Sequence, residues 1–290
     1  MKTKVYDALF EIGNSFIMLI VSIVSFYPFV YMVMLSFSSG NVFGKALLWP
    51  QNFNIIPYQM LITKVDFFSG FPVSILRSTI GPLLTIFVSF MAAYALSRDD
   101  LLFRKQISRI IVFSMYFSAG LLPVYMNMAS LHLTNTFLVY IIPRMLNAFE
   151  MILIRTYIQS MPRTLEESAM LDGANDLKIA FRIIFPLCLP VIAAVLLFEF
   201  VGQWNAYTDT LLYNAQRPNL FTLQYILSNF LAKNVNILTT DFSNRAAYDS
   251  FNINALRMAM TVLLCVPIVI VYPSLQKYFV KGIMVGSIKG

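Results

Sequence analysis

The fourth and fifth apolar runs of this 290-residue chain are interrupted by polar residues at helical spacing. Glu199, Gln203 and Tyr207 follow at four-residue steps and so share one helix face, with Trp204 and Asn205 beside them. Arg144, Asn147 and Glu150 follow at three-residue steps and form a second polar stripe. An acidic side chain at mid-bilayer costs about 2.5–3.5 kcal/mol on insertion scales, so these groups are expected to face a cavity or a partner. Three uses fit such stripes. One is hydrogen bonding to a polar solute on its way through. Another is an ion or proton relay through Glu199, Glu150 and Arg144. The third is a structural network in which Arg144 or Glu199 is neutralised by a neighbour.

A different candidate lies between these runs. Residues 163–190 read RTLEESAMLDGANDLKIAFRIIFPLCLP. Thr164 followed by Glu167 fits a capping box, with Pro162 and Arg163 before it. Gly173 stands where a short helix needs a left-handed residue to stop, and Asn175 or Asp176 can cap the next helix. Leu165, Ala169, and Met170 or Leu171 supply a small apolar surface. Glu166, Glu167, Asp172 and Asp176 balance Arg163, Lys178 and Arg182. The stretch predicts a compact helix–turn–helix elbow, either lying on the inner membrane interface or offering a grip to a soluble partner.

The elements that must position both candidates are membrane spans. Hydrophobic residues make up 58% of the chain and charged residues 12%, about half the usual share for a soluble protein. Crossing a bilayer takes about 20 apolar residues per helix, which predicts an all-α polytopic protein with about six spans. They fall near 13–37, 72–97, 107–129, 135–158, 183–208 and 256–280. The run at 15–37 exceeds the roughly 7–15 residues of a signal-peptide core, so it is read as the first span. Residues 2–11 fit a short helix in the inner interface.

Basic residues orient the chain. The inner segments hold Lys2, Lys4, Arg98, Arg104, Lys105, Arg109, Arg155, Arg163, Lys178, Arg182, Lys277, Lys281 and Lys289. The longer outer segments hold only Lys45, Lys64, Arg77, Arg217, Lys233, Arg245 and Arg257, which puts both termini in the cytoplasm. Two outer segments, about 38–71 and 209–255, are long enough to meet an extracytoplasmic partner. Pro28, Pro82, Pro123, Pro143 and Pro267 lie inside spans and predict kinks.

Several function classes fall away. The net charge of +7 is carried by short loops beside apolar runs, which points to topology rather than nucleic acid. Cys188 and Cys265 both sit in apolar segments and build neither a disulfide framework nor a metal cluster. His132 is the single histidine, in a short outer loop, and no nucleophile–base pair occurs within a span. No Gly-x-x-x-x-Gly-Lys-Ser/Thr phosphate loop occurs, so no cofactor is expected on this chain.

The order Glu167, Gly173, Ile183, Pro186 resembles the EAA loop of ABC-importer permeases, with Ser168 and Phe185 as departures from the usual alanine and leucine. Phe117–Pro123 (FSAGLLP), Thr134-Asn135-Thr136, Gly202-Gln203-Trp204-Asn205 and the tail Lys277–Gly282 (KYFVKG) extend the likeness over most of the chain. The group it resembles is the carbohydrate permeases related to maltose importers, especially their lipoprotein-associated multiple-sugar branch. The resemblance implies a type I importer permease over 1–290 in a bacterial cell membrane, with 159–182 as the cytoplasmic coupling loop. Glu167, Ala169, Asp172, Gly173 and Ala174 become the positions that couple to an ATPase. The implied partners are a second permease, two ATP-binding cassette subunits that use ATP and Mg, and an extracytoplasmic sugar-binding protein. The polar stripes then become candidates for a sugar path. The rival reading, an ion-coupled secondary transporter, calls for inverted repeats, and none is visible.

Overall fold

The computed structural model describes residues 2–40, 44–63, 67–233 and 253–287, with side chains described for 10–40, 44–63, 67–232 and 253–274. Lys64, Arg245, Lys289 and the polar stretch 234–252 lie outside the described residues. So do the side chains of Lys2, Lys4, Lys233, Lys277 and Lys281.

Thirteen helices are described: α1 (Lys2–Ser36), α2 (Ile56–Thr63), α3 (Phe71–Ser97), α4 (Arg104–Tyr116), α5 (Leu121–Ser130), α6 (Ala148–Gln159), α7 (Thr164–Leu171), α8 (Asp176–Ile179), α9 (Phe185–Leu187), α10 (Leu189–Asn205), α11 (Thr208–Tyr213), α12 (Leu223–Lys233) and α13 (Ile253–Ser287). Among the described residues no strand occurs. Three stretches are single helices long and apolar enough to cross a bilayer: Phe10–Ser36, Phe67–Ser97 and Ile253–Ser274. Three more spans result if each bent helix pair is taken as one, giving six.

The spans expected at 107–129, 135–158 and 183–208 are each broken: Pro123 and Pro143 predict a kink in the first two, whereas the third carries no expected kink. α4 and α5 meet at 118°. Gly120 between them has φ +84° and ψ 173°, a conformation essentially reserved for glycine. The 3-10 turns at Phe137–Tyr140 and Ile142–Arg144 meet α6 at 44°, with Pro143 in the second turn. The segments Asp176–Leu187 and Leu189–Asn205 meet at 78°. There Pro186 has no N–H for the carbonyl of Arg182, and Pro190 has none for that of Pro186. The turn Ala180–Ile184 is accordingly wound as a π-helix. Pro28, Pro82 and Pro267, also expected to kink, sit inside unbroken helices. The separate interfacial helix expected at 2–11 is likewise continuous with α1.

Two compact units are distinguished. In the first (1–66 with 229–266), the outer segment folds back on the end of α1. Ser36 Oγ lies 2.8 Å from the Tyr58 hydroxyl, and Phe37 stacks on Tyr58. Phe16, Ile20, Ile23 and Phe26 of α1 are exposed, as bilayer hydrocarbon requires. The second unit (67–228 with 267–290) holds the main core, in which α3 packs between α6 and α10. Phe90, Ala93, Ile154, Ile184, Cys188 and Val195 are fully or almost fully buried there.

Candidate functional site

The elbow hangs between α6 and α10 in the second unit. Its helix begins earlier than the capping box anticipates. Leu165 N–H donates to Pro162 O (3.4 Å), and the amides of Glu166 and Glu167 donate to Arg163 O (3.0 and 3.1 Å). Thr164 is thus already helical, and no side chain caps α7. The far end follows expectation. Gly173 takes φ +78°, its N–H donates to Met170 O (3.0 Å), and Ala174 N–H donates to Ala169 O (3.0 Å). These two bonds form a Schellman stop. Asn175 Oδ1 then accepts from Lys178 N–H (2.9 Å) and caps α8.

The five EAA-type positions divide by exposure. Ala169 is buried in the core with Ile179 and Ala180, and Ala174 is half-buried. Glu167, Asp172 and Gly173 are exposed. Leu171 is 89% exposed and Leu177 58%, so the elbow presents an apolar crest on a polar turn.

Charges from the α3–α4 turn surround this elbow. Arg98 pairs with Asp100 (3.2 Å), Glu166 (3.2 Å) and Asp176 (3.5 Å). Asp99 pairs with both Arg104 and Arg163. Hydrogen bonds from Arg163 and then Arg104 hold the Asp99 carboxyl below the usual range, and Arg98 does the same for Asp100. Arg98 and Arg163 are pushed upward in turn, chiefly by Asp100 and Asp99.

A second candidate lies within the spans. Asn147 caps α6, its Oδ1 accepting from Phe149 N–H (3.0 Å) and Glu150 N–H (3.4 Å). Its Nδ2 donates to Glu199 Oε1 (3.2 Å). Glu150 and Glu199 are both buried and interact with each other, with Arg144 in electrostatic reach of Glu150. The Oε2 atom of each glutamate is buried without a hydrogen-bond partner. Beside them opens a cleft of about 660 Å³ lined by Ser114, Met115, Pro143, Arg144, Leu146, Asn147, Ala148, Phe149 and Glu199. Such a site can hydrogen-bond hydroxyl groups, and the half-exposed ring of Phe149 adds an apolar face.

The structure thus joins Arg144, Asn147, Glu150 and Glu199 but not the other four path residues. Gln203 and Trp204 are buried, the indole lying edge-on to Phe71 and stacked on Phe200. α10 ends at Asn205 and Ala206 is extended, so Tyr207 does not continue the face of Glu199. Asn205 and Tyr207 are exposed.

Gln203 serves Arg77 instead. Arg77 was expected among the outer cations; it lies inside α3 and is fully buried. Its guanidinium donates to Gln203 Oε1 (2.8 and 3.1 Å), to Ala206 O (3.3 Å) and to Asp209, with which it forms an ion pair. It also lies 4.4 Å over the Tyr140 ring. Gln203 Nε2 donates to Tyr140 O (3.2 Å), and only a glycine at 81 leaves that amide room, since a Cβ there would stand 2.9 Å from it. Sequence reasoning passed over this network. Its signal was the spacing of Ser74, Arg77, Ser78, Gly81, Thr85 and Ser89 along one helix face.

No family model matches the chain. Relatives do. The polygalacturonan/rhamnogalacturonan transport system permease protein YtcP of Bacillus subtilis is 33% identical over 295 residues, covering all of both chains. A chain from a bacterial ABC transporter that imports the acidic polysaccharide alginate superposes with a TM-score of 0.82. It is 30% identical, over 94% of this chain and 97% of that one. A chain from a bacterial alginate ABC transporter bound to its alginate pentasaccharide-loaded periplasmic protein shares the fold at a TM-score of 0.57 and 15% identity, over 93% and 95%.

Proposed function

This chain belongs to the membrane-spanning permease subunits of carbohydrate ABC importers, and from that premise we propose that it forms half of an oligosaccharide path driven by ATPase subunits gripping residues 159–182. The observation that carries the proposal is the elbow. An exposed Leu171 beside a Gly173 stop, on a turn joined to α6 and α10, is a rigid knob suited to a groove in a soluble subunit. Glu167 and Asp172 flank the knob, while Ala169 and Ala174 seat it on the core. ATP-driven closure of two ATPase subunits would bring two such elbows together. The packed helices would then rock between inward- and outward-facing arrangements, because close-packed cores switch between discrete states.

On this reading both termini and the elbow are cytoplasmic. A second permease completes the path, and an extracytoplasmic binding protein delivers the sugar. α4 buries no residue in this chain, which suits a helix shared with another subunit or with lipid. Asn147 and Glu199 bond sugar hydroxyls in the cleft, Phe149 covers a ring face, and Gln203 and Trp204 brace the fold behind them. ATP and Mg belong to the partner subunits.

An acidic oligosaccharide is favoured over a neutral one by the exposed Arg144 guanidinium on the cleft wall. It passes Gly202 at 3.6 Å from where a Cβ would stand. Two similar proteins handle acidic polymers, polygalacturonan/rhamnogalacturonan and alginate. The test is uptake of labelled oligogalacturonides and of neutral oligosaccharides by proteoliposomes carrying the full assembly. ATP-dependent, ionophore-insensitive uptake of the acidic series is expected. Uptake driven by an ion gradient without ATP would refute the importer reading, and preference for neutral sugars would refute only the role of Arg144.

A further inference from the structure

We infer that Arg98 is a positioning residue for transport, the strut that ties the end of α3 to both limbs of the elbow so that the elbow's movement becomes a movement of α3. The inference rests on the coupling role proposed above. Through the chain itself the elbow is joined to only two helices, α6 at one end and, by way of the π-wound turn, α10 at the other. α3, the helix packed between them, has no covalent link to it. Arg98 ties α3 to it by ion pairs instead. It is the residue after α3, and its N–H still donates to Ala95 O (3.3 Å), so its backbone moves with that helix.

The guanidinium is shared among three carboxylates. Nη1 donates to Glu166 in α7 (3.2 Å), Nε and Nη2 both donate to Asp100 in its own turn (3.2 and 3.4 Å), and Nη2 also forms an ion pair at 3.5 Å with Asp176 at the start of α8. The next residue, Asp99, pairs with Arg163 just before α7 and with Arg104 at the start of α4. Both helices of the elbow, α7 and α8, and the start of α4 are therefore tied to one two-residue turn.

The pairs are unequal. Asp100, Asp176 and Asp99 are more than half exposed, and water and salt weaken such pairs. Arg98 and Glu166 are the shielded couple, with side chains 18% and 21% exposed. Directly beneath, Tyr94 and Leu96 of α3 share one apolar cluster with Ala169, Ile179 and Ala180 of the elbow. Salt bridge and cluster together oppose sliding between α3 and the elbow. A lysine would keep the charge but not the fork that spans two limbs.

The experiment compares wild type, Arg98→Gln, Arg98→Lys, Glu166→Gln and Gly173→Asp in proteoliposomes holding both permeases, both ATPase subunits and the binding protein. ATP hydrolysed, sugar imported, subunit assembly and thermal midpoint are all read. Arg98→Gln is expected to assemble and hydrolyse ATP while sugar imported per ATP falls about fivefold or more, the lower end of ordinary coupling factors. Arg98→Lys recovers part of the loss. Glu166→Gln reproduces it, and the double variant is no worse than Arg98→Gln alone. Import per ATP unchanged in Arg98→Gln, with only the thermal midpoint lowered, would overturn the inference and leave a purely structural ion pair. Gly173→Asp separates the two readings. If it uncouples while Arg98→Gln does not, the strut alone is wrong; if it too is silent, the elbow is not the coupling element and both fall.

Discussion

Replacing Arg77 by methionine removes the most heavily bonded cation inside the bundle while nearly preserving its volume. The wild-type guanidinium is fully buried and satisfies Gln203 Oε1 twice, the Ala206 carbonyl and both oxygens of Asp209. With it gone, the Asp209 carboxylate, only 17% exposed, keeps the Thr210 N–H (2.9 Å) but has no counter-charge. Breaking a buried ion pair from one side costs about 3–5 kcal/mol, because the remaining charge has lost both water and partner. That is roughly a hundred- to several-thousandfold in the folding equilibrium. The double variant Arg77→Met/Asp209→Leu removes both charges and should be markedly more stable than the sum of the two single losses implies. The assay is reversible denaturant unfolding of the purified permease pair, with all four corners of the cycle measured. A loss below about 1 kcal/mol in Arg77→Met, or simple additivity in the double variant, would refute the account of a buried, mutually dependent network.

Three further outcomes follow from the geometry. Gly120→Ala forces a Cβ onto φ +84°, ψ 173° and should cost about 1–3 kcal/mol, seen as a lowered unfolding midpoint, with import reduced through the α4–α5 break. Glu199→Gln retains the hydrogen bond with Asn147 and should keep substantial uptake, whereas Glu199→Ala loses it and should depress uptake without altering ATPase assembly; equal uptake by the two variants would remove Glu199 from the path. Asp99 has its carboxyl held down on folding by Arg163 and Arg104, so its pairs are present above the unfolded pKa of about 4 and are lost as pH falls through the lower folded one. Import per ATP should therefore stay level from about pH 5.5 to 8, and the Asp99→Asn effect should be the same throughout that range.

The fold was legible where long-range packing had little to add. Apolar runs long enough to span a bilayer located α1, α3 and α13 to within a few residues at most ends, because length and hydropathy alone set a lipid-facing helix. The three broken spans were not legible. Pro123 and Pro143 announced a disturbance, but so did Pro28, Pro82 and Pro267, which the helices absorb, and the break at Pro186 and Pro190 was not announced at all. What separates the two groups is the company each proline keeps: the glycine-only backbone of Gly120, the capping side chain of Asn147, and the pairing of Pro186 with Pro190.

The elbow was readable because its signals are local. Gly173 and Asn175 act within five residues of themselves, whereas the Thr164 cap gave way to an earlier start at Pro162. The intramembrane stripes were readable only in part, since spacing says which residues share a face and not what that face meets. Asn147 and Glu199, which the spacing puts on two separate stripes, meet across two helices. Gln203, one turn from Glu199, is claimed by Arg77, 126 residues away; the polar face of α3 marks Arg77 in the sequence but does not name its partner.

The central claim, that residues 159–182 seat in an ATPase subunit, is tested most directly at Leu171, the 89% exposed crest of the elbow. A single cysteine placed there, in a background with Cys188 and Cys265 replaced by alanine, would be treated with a short thiol cross-linker in membranes carrying the full assembly. Each ATPase subunit would carry one cysteine in turn. The account predicts a cross-linked product with the ATPase subunit whose yield changes between nucleotide-free and ATP-bound states. Reaction only with lipid or with the second permease, in an assembly that still hydrolyses ATP and imports sugar, would contradict it.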